Sequence, residues 1–499
     1  MKKPMSGAWA SWINLPRINL PRINVPWTNC KNTTLRRLLL SMLFLAQPVL
    51  AGDWFETFKD SATPAELHQM LYAMPKGGDL HLHLGGSVFS EWYYKHALAQ
   101  EEYGYTYYAK QQINNCAGAA EENRPVPYLM LHHTVDHLAY AELSACEQSE
   151  YVPLAQLSEA QKQRWLNSIR LDKPHEGRDE FFEQQWNRLD SLSRNPYLIA
   201  EVLVENMRAF GAEGLTYIEP QVPIFGFVTA AGEALTPDQV LGIYTARLAE
   251  DDAVATGVEV RMQVSLLRFL PNAEEVLQVL YKFVHKHPQV VAVNMVGRED
   301  NDKGYPLRFL TTLRELRKTH SGVRLSIHAG EVDEPNYHIR DTLLLGAERI
   351  GHGVNLITDP DTLRSMRYGP YMVEINLISN LLLEYVNDYS EHPFPEYLRL
   401  GVPVALSTDD RGMWDSTMTD EFFVAVTEFD LSWEEVVKLS RNSLQYSFLE
   451  EAKKAELLKE FDKRIDKFAR QVMRKGAQAY SATPAPRRGF ICRQYELCP

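Results

Sequence analysis

The sequence predicts a (β/α)8 barrel, and three observations lead to this prediction. After residue 52, short apolar segments typical of buried parallel strands alternate with longer segments that have helical spacing, and eight strand candidates result. Chemically capable polar residues stand where these strands end, and in a barrel all such ends converge on one face. A doubly wound sheet is the structural competitor, but it usually carries a Gly-rich phosphate loop after its first strand.

The predicted elements follow one another in strand–helix order along the chain. The strands are predicted at Asp79–Leu84, Leu215–Gln221, Val258–Arg268, Val290–Val296, Val323–His328, Arg349–Leu356, Tyr371–Ile375 and Val402–Ser407. The helices between them are predicted at Pro196–Gly211, Pro237–Glu250, Ala273–His287, Leu307–His320, Tyr337–Leu345 and Asp359–Arg367. A charged amphipathic helix over Ser447–Lys475 is expected to pack outside the barrel.

Charge is distributed unevenly over the 499 residues, which carry a formal net charge of −13. Residues 1–51 contain seven Lys or Arg and no Asp or Glu, which leaves −20 for residues 52–499. An acidic body excludes general electrostatic attraction to nucleic acid or anionic lipid as the main function.

The basic N-terminal segment has the pattern of an export signal. Arg36-Arg37 precede an apolar run of about a dozen residues, shorter than the roughly 20 that a membrane-spanning helix requires. Small residues then lead to Ala51. We therefore predict that residues 1–51 are a signal peptide with an extended basic region, cleaved near Ala51. The mature protein would be periplasmic or extracellular without a stable membrane anchor; an uncleaved anchor is the alternative.

The remaining chain divides into a barrel at residues 52–475, with an insertion at about 98–194, and a C-terminal extension at 476–499. Four cysteines would remain after cleavage, and an even number in an oxidising compartment suggests two disulfides. Proximity in sequence favours Cys116–Cys146 and Cys492–Cys498 among three possible connectivities. Four free thiols are the alternative.

Imidazoles and carboxylates at the strand ends indicate a metal site. His81 and His83 point to the same face of the first strand because side chains alternate with a period of two. His328 ends the fifth strand, His352 lies on the sixth, and Asp409-Asp410 follow the eighth. Each of these motifs is common in proteins when it stands alone, but a barrel brings all of them together at one end. Three neutral histidines and one carboxylate would hold Zn²⁺ or a similar ion with an open position for water.

These motifs resemble the adenosine deaminase family. The resemblance covers roughly residues 74 to 450 and lies in four segments in the family's order: Met74–His83, His328–Glu331, Arg349–Gly353 and Ser407–Asp410. Glu374–Asn380, followed by Glu391-His392-Pro393, is similar to the secreted, growth-factor-related branch of that family. The export signal and the long insertion after the first strand are similar to that branch as well.

The resemblance implies hydrolytic deamination of adenosine, and of 2′-deoxyadenosine, by zinc-bound hydroxide attack at purine C6, giving inosine or its deoxy form and ammonia. One Zn²⁺ per chain would be the cofactor, bound by His81, His83, His328 and Asp409. Glu331 would protonate ring N1, and His352 would orient the attacking water and help to deprotonate it. Asp410 would accept a hydrogen bond from N7 or steer the hydroxide, and the backbone N–H of Gly297 would hold N3.

Three alternatives to adenosine deamination remain at this stage. The substrate could be another adenine derivative, or the chain could be a non-catalytic extracellular binding protein on the same scaffold. A two-metal barrel hydrolase is the third, but it needs a carboxylated lysine at the end of strand four, and Asn294–Gly297 contains none. The expected partner is a small adenine nucleoside rather than nucleic acid, and a homodimer is possible.

Two positions depart from the family pattern near the expected sugar end. Gly85 stands where many members have an Asp that contacts ribose, and Arg411 follows the aspartate pair where Pro is common. Arg411 either alters the sugar end and tolerates an anionic substituent, or pairs with a structural carboxylate such as Asp415. The insertion is either a lid over the barrel mouth or a receptor-binding module.

Overall fold

The structure is a computed structural model that describes residues 53–116, 130–301 and 303–498. The predicted signal segment, residues 1–51, lies outside the described residues, so the export hypothesis stays a prediction. Among the described residues, no helix has the length and apolar character needed to span a membrane.

Eight parallel strands form the predicted barrel, and the (β/α)8 fold class is confirmed. Their spatial order follows the chain: β1 (Gly78–His83), β5 (Tyr217–Gln221), β7 (Met262–Leu267), β8 (Val290–Val296), β9 (Arg324–Ala329), β10 (Arg349–His352), β11 (Met372–Ile375) and β12 (Val404–Leu406). The segment after β12 returns to β1, where the amide of Asp409 donates to the carbonyl of His81 at 2.9 Å. This contact brings the ends of the first and last strands together.

Strand bounds differ from the prediction where local geometry ends the pairing. The predicted strand Val258–Arg268 is divided into β6 (Glu259–Val260), which pairs with β5, and β7. The predicted strand Arg349–Leu356 stops at His352, because Gly353 adopts a left-handed conformation and a 3₁₀ turn follows at Val354–Thr358.

Helices cover the outside of the barrel and bury one apolar face each. The helices that follow the barrel strands, from β1 onward, are Ser90–Ala99, Pro196–Ala212, Pro237–Leu248, Ala273–Lys286, Leu310–Thr319, His338–Leu344, Pro360–Tyr368, Leu377–Leu382, Phe394–Leu400, Met418–Phe429, Trp433–Gln445 and Glu451–Lys475. Local signals set their starts: the side chain of Asn195 accepts from the amides of Tyr197 and Leu198, and Pro196 occupies the first helical position. Helices Asp53–Ser61 and Pro64–Ala73 precede β1.

The insertion after β1 carries its own small sheet, in which β2 (Tyr107–Lys110) lies between β3 (Thr134–Asp136) and β4 (Tyr151–Pro153). Short helices fill the rest: His137–Ala141, Ala145–Gln148, Glu159–Ser168, Arg178–Glu180 and Trp186–Arg188, with a π-helical turn at Phe181–Gln185. A disulfide joins Cys116 to Cys146, as predicted.

The C-terminal extension lies against the barrel. Its last helix, Gly489–Tyr495, carries the second predicted disulfide, Cys492–Cys498. The guanidinium of Arg488 donates to Asp415, whose other carboxylate oxygen accepts from the amide of Gly489. These contacts tie the extension to the loop that follows Asp410.

Candidate active site

Three imidazoles and one carboxylate meet at the carboxyl ends of the barrel strands. His83 Nε2 lies 3.2 Å from His328 Nε2 and 3.2 Å from Asp409 Oδ1. His81 Nε2 lies 3.4 Å from the same Asp409 oxygen. The predicted ligands, separated by up to 328 positions in sequence, thus face a common point.

Buried groups behind two of the histidines hold their rings. Nδ1 of His81 lies 2.8 Å from Glu374 Oε2, and Nδ1 of His328 lies 2.9 Å from Asn294 Oδ1. Because these oxygens accept from Nδ1–H, each ring turns its Nε2 lone pair towards the cluster. Carboxylate or carbonyl partners of this kind orient metal-binding histidines in general. Glu374 is itself held by Arg349, whose Nε lies 2.6 Å from Glu374 Oε1.

The donor set fits a divalent cation. His81 Nε2 and Asp409 Oδ1 are buried and have no hydrogen-bond partner among the described residues. Burial opposes charge on His81, but Asp409 and Glu374 outweigh it and raise the pKa of His81 to about 10, so a cation binds His81 by displacing its Nε2 proton. The pKa of His328 falls well below its usual value because of burial and the neighbouring imidazoles, so His328 is a neutral donor. Neutral imidazoles with one carboxylate are the ligands expected for Zn²⁺.

Glu331 is a buried carboxyl group that lines the same cavity as His83, His328 and Asp409. Burial, reinforced by the charges of Asp409 and Glu299, raises its pKa well above the ordinary value. The backbone turn that presents it depends on Gly330, whose φ of +76° lies in the left-handed region that favours glycine. The carboxylate of Glu299 holds the same turn by accepting from the amides of Gly330 and Glu331 at 3.0 and 2.8 Å.

A tyrosine that the sequence analysis did not identify also holds the Glu331 side chain. The hydroxyl of Tyr385 donates to Glu331 Oε1 at 3.3 Å. Arg178, from the insertion, stacks over the Tyr385 ring with 4.4 Å between guanidinium carbon and ring centroid. It also donates to the carbonyls of Leu383 and Glu384 at 3.1 and 3.0 Å. The insertion therefore orders the loop that carries Tyr385.

His352 lies beside the cluster in a fully buried position. Its Nε2 is 3.7 Å from Glu331 Oε1, and its pKa falls well below the usual value because it is buried. The side-chain amide of Asn380 lies 3.0 Å from His352 Nδ1, and His392 Nε2 lies 3.0 Å from Asn380 Oδ1. The motif residues around Asn380 and His392 thus form the support of His352.

Asp410 and Gly297 complete the predicted set. Both line the same cavity as Glu331 and His83. Burial and the adjacent Asp409 raise the pKa of Asp410 well above its ordinary value. Asp410 fits only because residue 86 is glycine, since a Cβ there would lie 1.6 Å from Asp410 Oδ1.

The cavity has a volume of about 560 Å³ and continues from the cluster to the barrel mouth. Five residues of the insertion line it: Phe181, Phe182, Glu183, Trp186 and Asn187. A Cβ at Gly85 would come 3.0 Å from the Trp186 ring, so the indole stands directly beside Gly85. Part of the insertion therefore lines the cavity, and the lid and receptor-binding hypotheses both stay predictions.

Arg411 does not reach the cavity, which contradicts the idea that it alters the sugar end. Its guanidinium is fully buried, donates to Glu213 Oε1 at 3.0 Å and Asn206 Oδ1 at 2.8 Å, and lies 3.6 Å from the Phe210 ring centroid. Arg411 does pair with a structural carboxylate, as the alternative predicted, but that carboxylate belongs to Glu213 and not to Asp415. Asp415 binds Arg488 instead.

A family model described as Adenosine deaminase matches residues 144–464, well over half of the chain. With the barrel and the metal-suited cluster, this match defines the class of protein: the chain belongs to the adenosine deaminase family of barrel hydrolases.

The relatives carry two different names. An adenine deaminase of Aspergillus fumigatus is 30% identical over 213 residues, covering 42% of this chain and 59% of that protein. An adenine deaminase of Chelativorans sp. is 30% identical, covering 52% of this chain and 77% of that protein. An adenosine deaminase of Clostridium perfringens is 30% identical, covering 53% and 78%. The chain thus spans about three fifths of the length of the fungal relative and more than three quarters of the bacterial ones.

Solved structures share the fold at low identity. An adenine deaminase from Arthrobacter aurescens has a TM-score of 0.58 at 19% identity, covering 79% of this chain and 100% of that one. An N6-methyl-AMP deaminase from Arabidopsis thaliana has a TM-score of 0.57 at 19%, covering 79% and 98%. An amidohydrolase from Burkholderia ambifaria with bound Zn has a TM-score of 0.58 at 17%, covering 82% and 95%.

Proposed function

We propose that this protein is a zinc-dependent aminohydrolase that converts adenosine and 2′-deoxyadenosine to inosine or its deoxy form and ammonia. The observation that carries the proposal is that Glu331, a buried carboxyl group with a raised pKa, lines one cavity together with His83, His328 and Asp409 of the cluster. Hydrolytic deamination at C6 needs both a nucleophile on the carbon and a proton for the ring, and the metal-suited cluster and Glu331 could supply the two in one cavity.

The described residues divide the chemistry as follows. When bound, Zn²⁺ lowers the pKa of water to about 7 and so supplies hydroxide at neutral pH. The protonated Glu331 donates to ring N1 and makes C6 more electrophilic. The backbone N–H of Gly297 holds N3, Asp410 faces N7, and His352 orients the attacking oxygen. Aromatic side chains of the insertion cover the ring and exclude water.

The cavity supports a nucleoside over a free base or a nucleotide. Its volume of about 560 Å³ suits a ligand larger than a single purine ring. Glu183 and Asn187 offer hydrogen bonds at the mouth, where sugar hydroxyls would lie. Arg298 also lines the mouth, but it is paired with Asp179 at 2.6 Å and Asp300 at 2.6 Å, so it offers no free charge to a phosphate.

Free adenine is the second candidate substrate, because relatives named adenine deaminase match this chain as well as those named adenosine deaminase. We further propose export through residues 1–51 and a place in the secreted, growth-factor-related branch. Two disulfides, one of them inside the insertion, support this proposal because such bonds persist in oxidising compartments.

A substrate panel tests the proposal. Metal-replete protein is given adenosine, 2′-deoxyadenosine, adenine, AMP and N6-methyl-AMP, and the loss of adenine ultraviolet absorbance and ammonia release are followed. We expect the highest kcat/KM for the two nucleosides. A higher kcat/KM for adenine would replace the proposal by the second candidate. Inactivity on all five compounds with zinc bound would leave a non-catalytic binding protein.

A further inference from the structure

His352 differs from His81 and His328 in what lies behind it. His81 and His328 each have an oxygen acceptor at Nδ1, whereas Nδ1 of His352 faces the amide of Asn380 at 3.0 Å. The amide of Asn376 lies farther away, with its Nδ2 at 3.4 Å from Nδ1 and 3.5 Å from Nε2. The atom that the nearer Asn380 amide presents, oxygen or nitrogen, therefore decides which ring nitrogen of His352 carries the proton.

The backbone amide of Phe394 fixes the direction of the hydrogen bonds that run from His392 through Asn380 to His352. The N–H of Phe394, which can only donate, lies 3.1 Å from His392 Nδ1. His392 Nδ1 is therefore an acceptor, and in the neutral ring the proton sits on Nε2. His392 Nε2–H then donates to Asn380 Oδ1 at 3.0 Å. This bond turns the NH₂ group of Asn380 towards His352, where it donates to Nδ1.

From this geometry we infer that Asn380 and His392 are positioning residues that fix His352 as the Nε2–H tautomer. The three side chains are buried, with 0%, 3% and 0% of the Asn380, His392 and His352 surfaces exposed, so bulk water does not compete for these bonds. Burial also lowers the pKa of His392 to about 3, which agrees with a neutral ring.

The tautomer determines what His352 can do. A ligand atom of His352 lies within 4.8 Å of those of His81, His328 and Asp409, yet an Nε2 that carries hydrogen has no lone pair for a metal. The same hydrogen can donate to an oxygen above C6 or to a carboxylate. Since this inference rests on the proposed deamination, it assigns His352 the task of orienting the nucleophile by donation, with no proton acceptance at Nε2.

Nitrogen-15 NMR on the zinc-loaded protein, labelled at histidine, reads the tautomer without reference to activity. His352 is assigned by the loss of its signals in His352→Gln. We expect a protonated Nε2 and an unprotonated Nδ1 in the wild type. Asn380→Asp removes the donor, so the proton should move to Nδ1. Asn442→Asp is the matched control, because its amide donates to the carbonyl of Val404 at 2.8 Å, outside the site.

Kinetics complete the test. A wrong histidine tautomer costs up to about 10⁴-fold in kcat in a well-studied triad, and we expect Asn380→Asp to lose on the order of 10²-fold with KM and zinc content unchanged. His392→Ala should lose less, about tenfold, because Asn380 can then adopt both orientations. An unprotonated Nε2 in the wild type, or an unchanged tautomer in Asn380→Asp, would overturn the inference. If the wild type deaminates nothing, the proposed function fails while the NMR result still decides the tautomer.

Discussion

The hydroxyl of Tyr385 donates a hydrogen bond to Oε1 of Glu331 across 3.3 Å. Both side chains are buried, and the two residues come from loops that follow different barrel strands, β11 and β9. A protonated carboxyl has one accepting and one donating oxygen. When Glu331 is protonated, donation by Tyr385 to Oε1 favours the acidic proton on Oε2. The contact also links the insertion, through Arg178, to the proposed general acid.

Replacing Tyr385 with Phe should therefore lower kcat more than it changes KM. The loss of one neutral hydrogen bond predicts about a 3- to 10-fold decrease in kcat. Steady-state kinetics on adenosine measure it. Tyr94→Phe is the matched control, since that hydroxyl donates to the carbonyl of Leu154 at the insertion, away from the cluster. Equal losses in both variants would show that Tyr385 is merely structural.

The raised pKa of Glu331 predicts activity that falls at alkaline pH. The protonated form is the active one, so kcat/KM should decline as the pH rises through the raised pKa. Glu331→Gln should lose on the order of 10²-fold or more and lack this alkaline limb. A pH profile of kcat/KM for both proteins shows whether the limb belongs to Glu331.

The same substitution should stabilise the fold at neutral and higher pH. A carboxyl with a raised folded pKa contributes stability that is present below its unfolded value of 4.5 and is lost as pH rises through the folded value. A Gln side chain does not ionise, so it loses no stability as the pH rises. Chemical denaturation at several pH values should show a gap in unfolding free energy that widens with pH in favour of Glu331→Gln; a constant gap would contradict the assignment.

Removal of the metal should abolish activity and lower the thermal midpoint, because the cluster then holds unpaired buried donors. Elemental analysis should find one zinc per chain, and added zinc should restore both properties.

Asn294→Ala removes the group behind His328 and should weaken zinc affinity by about 10- to 100-fold. Full retention of zinc in a chelator titration of this variant would exclude the proposed orienting role.

Two glycine substitutions should affect different properties: one should lower activity and the other should raise stability. Gly86→Ala places a Cβ 1.6 Å from Asp410 Oδ1, so Asp410 must move, and activity should fall by about 10²-fold or more. Gly242→Ala, in helix Pro237–Leu248, has nothing within 4 Å of the added Cβ and should stabilise the protein by about 0.5–1 kcal/mol. Thermal unfolding and kinetics on both variants separate the two effects.

Arg411→Met should destabilise the fold without changing the order of substrates. Removing one partner of a buried ion pair costs about 3–5 kcal/mol, because Glu213 is left without its partner. Denaturant unfolding measures the loss. Ranking adenosine, 2′-deoxyadenosine and AMP before and after the change checks the second part: a new ranking would restore Arg411 to the sugar end.

The residues of the proposed site could be predicted from the sequence because they stand at strand ends. His81, His83, His328, His352 and Asp409 need only the barrel topology to converge, since the carboxyl ends of parallel strands share one face. Both disulfide pairings were predictable for a local reason, because the paired cysteines are close in sequence. The metal-suited cluster therefore follows from order and spacing alone.

Only the tertiary structure decided what holds those residues in place. Three contacts belong to this group: Glu374 behind His81, Tyr385 beside Glu331, and the His392–Asn380 support of His352. Each joins two different elements, and no periodic pattern in the sequence indicates that the two side chains meet. The packing of helices outside the barrel decides which residue pairs with Arg411. It also decides which insertion residues line the cavity. Sequence spacing predicts which strand end a residue occupies, but a hydrogen bond depends on distances of about 3 Å that packing alone determines.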